Sequence, residues 1–124
     1  MLTHKITKIS DIEQSQLSEF YKKNYFYRHK SLINNWRWWY RYGYSKFEPL
    51  ILLLDKKVIG QAGLQPIDLK INDKKISAIW FLDFAILPEF RGRGFGKILT
   101  RELIGWIIKS LKILIFILGL AAVL

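Results

Sequence analysis

Arg91-Gly92-Arg93-Gly94-Phe95-Gly96-Lys97 sets three basic side chains among three glycines. An apolar strand-like run ends at Leu87-Pro88 just before it, and apolar residues at helical spacing follow from Lys97. Strand, basic glycine loop and helix start, in that order, make an anion site. Glycines carry no Cβ to hold a ligand away, so successive backbone N–H groups can converge on phosphate oxygens. The helix dipole favours the same negative charge. The expected ligand group is a pyrophosphate.

Two common phosphate loops fail against these letters. A dinucleotide fingerprint, G-x-G-x-x-G, counted from Gly92 and Gly94 meets Lys97 where its third glycine belongs, and counted from Gly94 and Gly96 it meets Leu99. A Walker A loop needs Ser or Thr after Gly96-Lys97, where Ile98 stands, and a glycine where Arg91 stands. An ordinary strand-to-helix turn that happens to carry arginines is the remaining plain reading.

The loop does resemble the coenzyme A loop of the GNAT acyltransferase superfamily, Arg/Gln-x-x-Gly-x-Gly/Ala, which Arg91, Gly94 and Gly96 match in order. Asp83-Phe84-Ala85-Ile86-Leu87-Pro88-Glu89-Phe90 resembles that family's fourth strand and its Pro-acidic-aromatic exit, and Lys97-Ile98-Leu99 resembles the start of the following helix. The resemblance implies transfer of an acyl group, most often acetyl, from acetyl-CoA to an amine by direct attack, with no metal. It implies that the backbone of Phe84, Ala85, Ile86 and Leu87 pairs with the pantetheine arm. The backbone of Arg91, Gly92, Arg93, Gly94, Phe95, Gly96 and Lys97 would hold the pyrophosphate, with the Arg91 and Arg93 side chains at the rim. Solvated surface charge is the other reading of those two arginines.

An acceptor ammonium must lose a proton before it attacks, so a carboxylate near the cleft is wanted as base. Asp83 is the only acid in the strand expected over Ile76 to Leu87. The competing reading is an aspartate that bonds to backbone and sets a bulge. Acceptor choice in the family falls to the first two helices, here rich in aromatics. Trp36, Trp39 and Tyr40 sit at core spacing, which leaves Trp38 and Tyr42 as candidate acceptor-binding residues. An amino sugar or another small amine is the expected acceptor.

Several elements must position these groups. Residues 4 to 9 suit a first strand, and Ser10-Asp11-Ile12-Glu13 reads as a capping box opening a helix. A second helix is expected from Ser31 to about Tyr42, ended by Gly43. Leu50 to Leu54 reads as a buried strand and Asp55-Lys56-Lys57 as a hairpin turn, followed by a strand from Val58 that Gly60 and Gly63 weaken locally. Asn72-Asp73-Lys74 turns the chain into the long strand from Ile76 to Leu87. Residues 113 to 118 suit a fifth strand. The fold class expected is α/β of the α+β kind: a GNAT-like mixed, mainly antiparallel sheet flanked by helices, lacking that family's last helix and two strands. A natural short form, a truncated product and a partner-completed domain all remain open. The family's usual tyrosine acid would lie beyond Leu124.

Composition bounds the rest. The 124 residues suit one domain, and 51% hydrophobic content suits a packed core. The absence of cysteine excludes disulfides, a thiol nucleophile and a thiolate metal site, and His4 and His29 stand apart. The net charge of +10 is scattered, which describes a solvated surface better than a nucleic-acid face, although Trp36 to Tyr42 interleave aromatics with Arg37 and Arg41. No apolar run of signal length opens the chain, so the cytoplasm is expected. The apolar end, residues 113 to 124, is shorter than the roughly 20 residues of a spanning helix. Shallow membrane contact or dimerisation through the fifth strand are its two other readings.

Overall fold

The computed structural model describes residues 3–40, 48–110 and 115–118. Among the described residues five strands form one sheet in the order β1-β2-β3-β4-β5: β1 is His4–Lys8, β2 Leu50–Leu54, β3 Lys57–Ile71, β4 Lys74–Ile86 and β5 Ile115–Leu118. The first four are antiparallel neighbours, and β5 runs parallel to β4. Helices α1 (Gln14–Asn24) and α2 (His29–Trp39) follow β1, and α3 (Phe95–Ser110) links β4 to β5. This is the mixed, mainly antiparallel architecture expected from the sequence.

Two two-residue turns build the hairpins. Asp55-Lys56 joins β2 to β3 and Asn72-Asp73 joins β3 to β4, and all four residues have positive φ. Paired positive φ values match the right-handed twist of the flanking strands, which fixes the register. Thr3 secures the first turn, its N–H donating to Asp55 Oδ1 at 3.0 Å.

Helix α1 starts later than the Ser10 capping box predicts. Ser10 donates both its N–H and its hydroxyl to Glu48 Oε1, so it is occupied by a residue far along the chain, and a short 3-10 turn covers Ile9–Asp11. Glu13 is the N-cap instead, with Gln16 Oε1 accepting from its N–H at 3.3 Å. Helix α2 ends at Trp39 and kinks at Asn35; Gly43, read as its terminator, lies outside the described residues. Residues 113 and 114 of the expected fifth strand are outside them as well.

Strand alternation divides the core between two faces. Gln61 of β3 bonds Tyr21 and Tyr40, so that face belongs to α1 and α2. Ile86 and Phe84 approach Gly96 at the start of α3 on the other face. Leu17, Phe20, Leu32 and Trp36 fill the first layer, and Leu99 and Leu103 of α3 close the second. The glycines in β3 mark close approach: a Cβ on Gly63 would stand 2.2 Å from the Leu82 carbonyl oxygen and 3.0 Å from the Tyr40 ring. No helix among the described residues is long and apolar enough to cross a membrane.

Candidate acyl-donor cleft

Among the described residues strand β4 is paired on both edges over only part of its length. Pairing with β5 runs only from Ala78 to Phe81, so among the described residues Leu82 to Ile86 have β3 on one edge and no strand on the other. The pairing with β3 is interrupted at the same place. Gly63 opposes Leu82 and Gln61 opposes Ala85, which leaves Asp83 and Phe84 together against Ala62. This is a β-bulge, a device that bends a strand and re-aims its groups. Asp83 has φ +52°, a left-handed value at the bulge position where glycine is usual.

The strand then runs straight into the glycine loop. Pro88–Phe90 form a 3-10 turn, and Leu87 N–H donates to the Ile59 carbonyl at 2.7 Å. Gly92 and Gly94 have φ of +75° and +86°, and nothing lies within 4 Å of a Cβ placed on either. Their glycine requirement is therefore one of backbone conformation, with open space in front of them. Ile98 N–H makes an intrahelical bond to Gly94 O at 3.2 Å, so the N–H groups of Phe95, Gly96 and Lys97 in the turn before it lack intrahelical acceptors. Three donors at the positive end of a 16-residue helix have the chemistry to hold an anion.

The two loop arginines behave differently. Arg93 is exposed at the rim, with its guanidinium 5.4 Å from the Phe90 ring and 5.8 Å from the Phe95 ring. Arg91, expected beside it, instead turns back beneath the loop. Its Nε donates to the Ile86 carbonyl at 2.9 Å and its Nη2 to Asn24 Oδ1 at 3.1 Å. It ties loop, strand and the end of α1 together. Lys97 is exposed, and Glu89 forms ion pairs with Lys23 at 3.0 Å and Lys57 at 3.7 Å. A backbone N–H and the Lys23 ammonium hold the Glu89 carboxyl below its usual range.

Asp83 is buried at this bulge, 4% exposed. Arg28 grips it with two bonds, Nη1 to Oδ1 at 2.8 Å and Nη2 to Oδ2 at 3.2 Å, and the Tyr40 hydroxyl donates to Oδ2 at 2.9 Å. Both oxygens are thus engaged. The Tyr25 hydroxyl donates to the Asp83 main-chain carbonyl at 2.6 Å. Behind Tyr40, Gln61 Nε2 donates to its oxygen at 3.0 Å, and Tyr21 donates to Gln61 Oε1 at 2.6 Å. Burial, reinforced by the Asp83 charge, pushes the Tyr21 and Tyr25 phenols well above their ordinary pKa, and burial does the same for Tyr40. Asp83 in turn raises the Arg28 guanidinium further.

Of the two residues expected to bind the acceptor, one is described. Trp38 is 73% exposed and packs edge-on against Trp39, whose ring lies 5.2 Å from the Arg28 guanidinium. Tyr42 lies outside the described residues. Trp36 and Tyr40 are buried as their spacing predicts, while Trp39 is half-buried. Sequence reasoning missed Asn24, Tyr25, Arg28 and Gln61. No local signal exists for them, because each meets its partner across tens of residues.

Residues 7–118 match the family model described as the acetyltransferase (GNAT) family. The chain belongs to the GNAT family. Its fold is similar to the GCN5-related N-acetyltransferase from Kribbella flavida, with a TM-score of 0.69 and 12% identity, over 88% of this chain and 28% of that one. It therefore spans little more than a quarter of that longer protein. It is similar in the same way to the aminoglycoside N-acetyltransferase AAC(6')-Iy in complex with CoA, with a TM-score of 0.69 and 13% identity, over 98% of this chain and 78% of the other. A GNAT acetyltransferase from Brucella melitensis in complex with acetyl-CoA has a TM-score of 0.63 and 15% identity, over 89% and 70% of the respective chains. No curated protein sequence matches the chain. At these identities the structural likeness is one of fold.

Proposed function

We propose that this chain is an acyl-CoA-dependent N-acyltransferase that moves an acetyl group from acetyl-CoA to a primary amine, an amino sugar or another small amine. The observation that carries the reading is the continuity of the bulged end of β4, Leu82 to Ile86, with a glycine loop that ends at the N–H groups of Phe95, Gly96 and Lys97, which have no intrahelical acceptor. A long donor with a pantetheine arm at one end and a pyrophosphate at the other fits an extended strand edge followed by an anion site. Phe84 to Leu87 hold the arm, and the backbone from Arg91 to Lys97 holds the pyrophosphate. Arg93 adds charge from the rim, and Arg91 adds it from beneath.

In the reaction the neutral amine attacks the thioester carbonyl carbon. A C–N bond forms, the C–S bond breaks, and the sulfur leaves with the electron pair and is protonated; the nitrogen gives up its proton. Holding the two reactants together supplies much of the acceleration. Asp83 is buried at the bulge beside the segment that holds the arm, which favours a role as base through water. Its engagement by Arg28 and Tyr40 favours a holding role. An Asp83→Asn variant separates the two: a base loses turnover at neutral pH and regains it at alkaline pH, whereas a holding residue loses the same fraction at all pH values.

The reading is tested by thermal unfolding with CoA, acetyl-CoA, duplex DNA, RNA and anionic liposomes, followed by thiol release from acetyl-CoA in the presence of kanamycin, glucosamine and spermidine. A ligand that binds only the folded state raises the midpoint. Stabilisation by CoA and acetyl-CoA together with amine-dependent thiol release supports the proposal. CoA binding without release on any amine would reduce the chain to a CoA-binding module, and stabilisation by nucleic acid or liposomes alone would replace the reading altogether.

A further inference from the structure

Asp83 combines two costly features. Its φ of +52° is one that side-chain-bearing residues adopt at some expense, although aspartate tolerates it better than most. Its carboxylate is also buried, which is strongly unfavourable for an unpaired charge. Both are offset by one stretch of chain, residues 25 to 40. Arg28 and Tyr40 fill the carboxylate, and Tyr25 takes the carbonyl. Arg28 is itself held, with its guanidinium 5.9 Å from the Tyr25 ring and 5.2 Å from the Trp39 ring. Gln61 and Tyr21 orient the Tyr40 hydroxyl from behind, and no buried side-chain polar atom among the described residues lacks a partner. A fully satisfied buried network of this kind specifies one arrangement of backbone.

The arrangement it specifies is the bulge. Among the described residues the pairing of β4 with β5 ends at Phe81, two positions before Asp83. We propose that Arg28 and Tyr40 are positioning residues of the acyl-donor cleft: by occupying both oxygens of Asp83 they hold β4 in the bulge that aims the backbone of Phe84 to Leu87 at the donor. They act through Asp83 and touch no reacting atom. Because Arg28 also packs on Trp39, the acceptor-side helix and the donor-side strand are braced by the same side chain. This inference rests on the donor cleft of the proposed function, but the lock on the bulge exists in the ligand-free protein and can be measured there.

The test is a double-mutant cycle between Arg28→Ala and Asp83→Gly, read by CoA titration calorimetry and by hydrogen exchange of the Phe84, Ala85 and Ile86 amides without ligand. Arg28→Ala leaves an unpaired buried carboxylate, so exchange rises at the three amides and CoA binding weakens by about tenfold or more. Asp83→Gly removes the gripped carboxylate itself, so exchange rises at the same amides and CoA binding weakens as it does in Arg28→Ala, although glycine tolerates the left-handed φ. The double variant then behaves like Asp83→Gly alone. A loss caused by Arg28→Ala that is just as large in the Asp83→Gly background would overturn the proposal, since Arg28 would not be acting through Asp83. Tyr40→Phe keeps the ring and removes one bond; it gives the same pattern at smaller size and decides the question should Arg28→Ala not fold. If the parent fails to bind CoA, the donor-cleft reading falls, while the exchange measurement still reports whether Arg28 and Tyr40 lock the bulge.

Discussion

Gly63→Ala probes the packing on which the cleft depends. The added Cβ would lie 2.2 Å from the Leu82 carbonyl oxygen, 3.1 Å from the carbon of the same carbonyl and 3.0 Å from Tyr40 Cε1. Two of those three atoms are backbone in the neighbouring strand, next to the bulge, and cannot rotate away as a side-chain end can. Overpacking costs about 1–3 kcal/mol, and contact with backbone puts this site at the upper end, about 3 kcal/mol. For a chain of this size each kcal/mol moves the midpoint by about 3–5 °C, so thermal unfolding followed by circular dichroism should show a fall of about 9–15 °C. Gly105→Ala is the control: nothing lies within 4 Å of its Cβ, and inside α3 the change should stabilise by about 0.5–1 kcal/mol. A Gly63→Ala protein that melts within about 2 °C of the parent would refute the close approach of β3 and β4, and with it the register that builds the bulge.

Other outcomes follow from the same geometry. Gly94→Ala meets no neighbouring atom but keeps a φ of +86°, so it should lose about 1–2 kcal/mol in thermal unfolding while far-UV circular dichroism stays unchanged. Arg93→Ala should weaken CoA binding modestly at low salt, and the gap from the parent should close in a titration carried to about 1 M salt, where the screening length is about 3 Å. Arg91→Ala should loosen the whole loop, because two bonds to Ile86 and Asn24 go with it, and hydrogen exchange at Gly92 to Gly96 should rise. Tyr21, Tyr25 and Tyr40, three of the six tyrosines, have pKa values raised above those of the unfolded chain. Their contribution to stability is complete below about pH 10 and is lost as pH rises further, because the unfolded state then releases protons that the folded state retains. Absorbance of phenolate should therefore rise in two phases, the second coinciding with alkaline unfolding.

What could be read in advance was local. The glycine loop announces itself because left-handed backbone and a helix start are encoded within seven residues, and the β3–β4 turn because Asn72-Asp73 tolerate positive φ. The position of Asp83 in the strand was legible too, since no other acid lies between Ile76 and Leu87. What Asp83 touches was not. Arg28 reaches it across 55 positions and Tyr40 across 43, and nothing in the spelling of Tyr25-Phe26-Tyr27-Arg28 marks an ion pair. The same physics explains the late start of α1, where Glu48 occupies Ser10 from 38 positions away, and the inward turn of Arg91 towards Asn24. Tyr40 shows the limit of periodicity most directly: its spacing foretold a buried ring, while the partner of its hydroxyl depended on the assembled sheet.

The central claim is that the loop backbone from Arg91 to Lys97 binds the pyrophosphate of an acyl-CoA. The most direct measurement is calorimetric titration of acetyl-CoA into the parent and into Gly94→Val, with hydrogen exchange confirming that the sheet and α3 are unchanged. The parent should bind saturably and Gly94→Val not at all, because a branched side chain then stands in the open space where phosphate oxygens approach the N–H groups of Phe95, Gly96 and Lys97. Equal binding by the two proteins would contradict the claim.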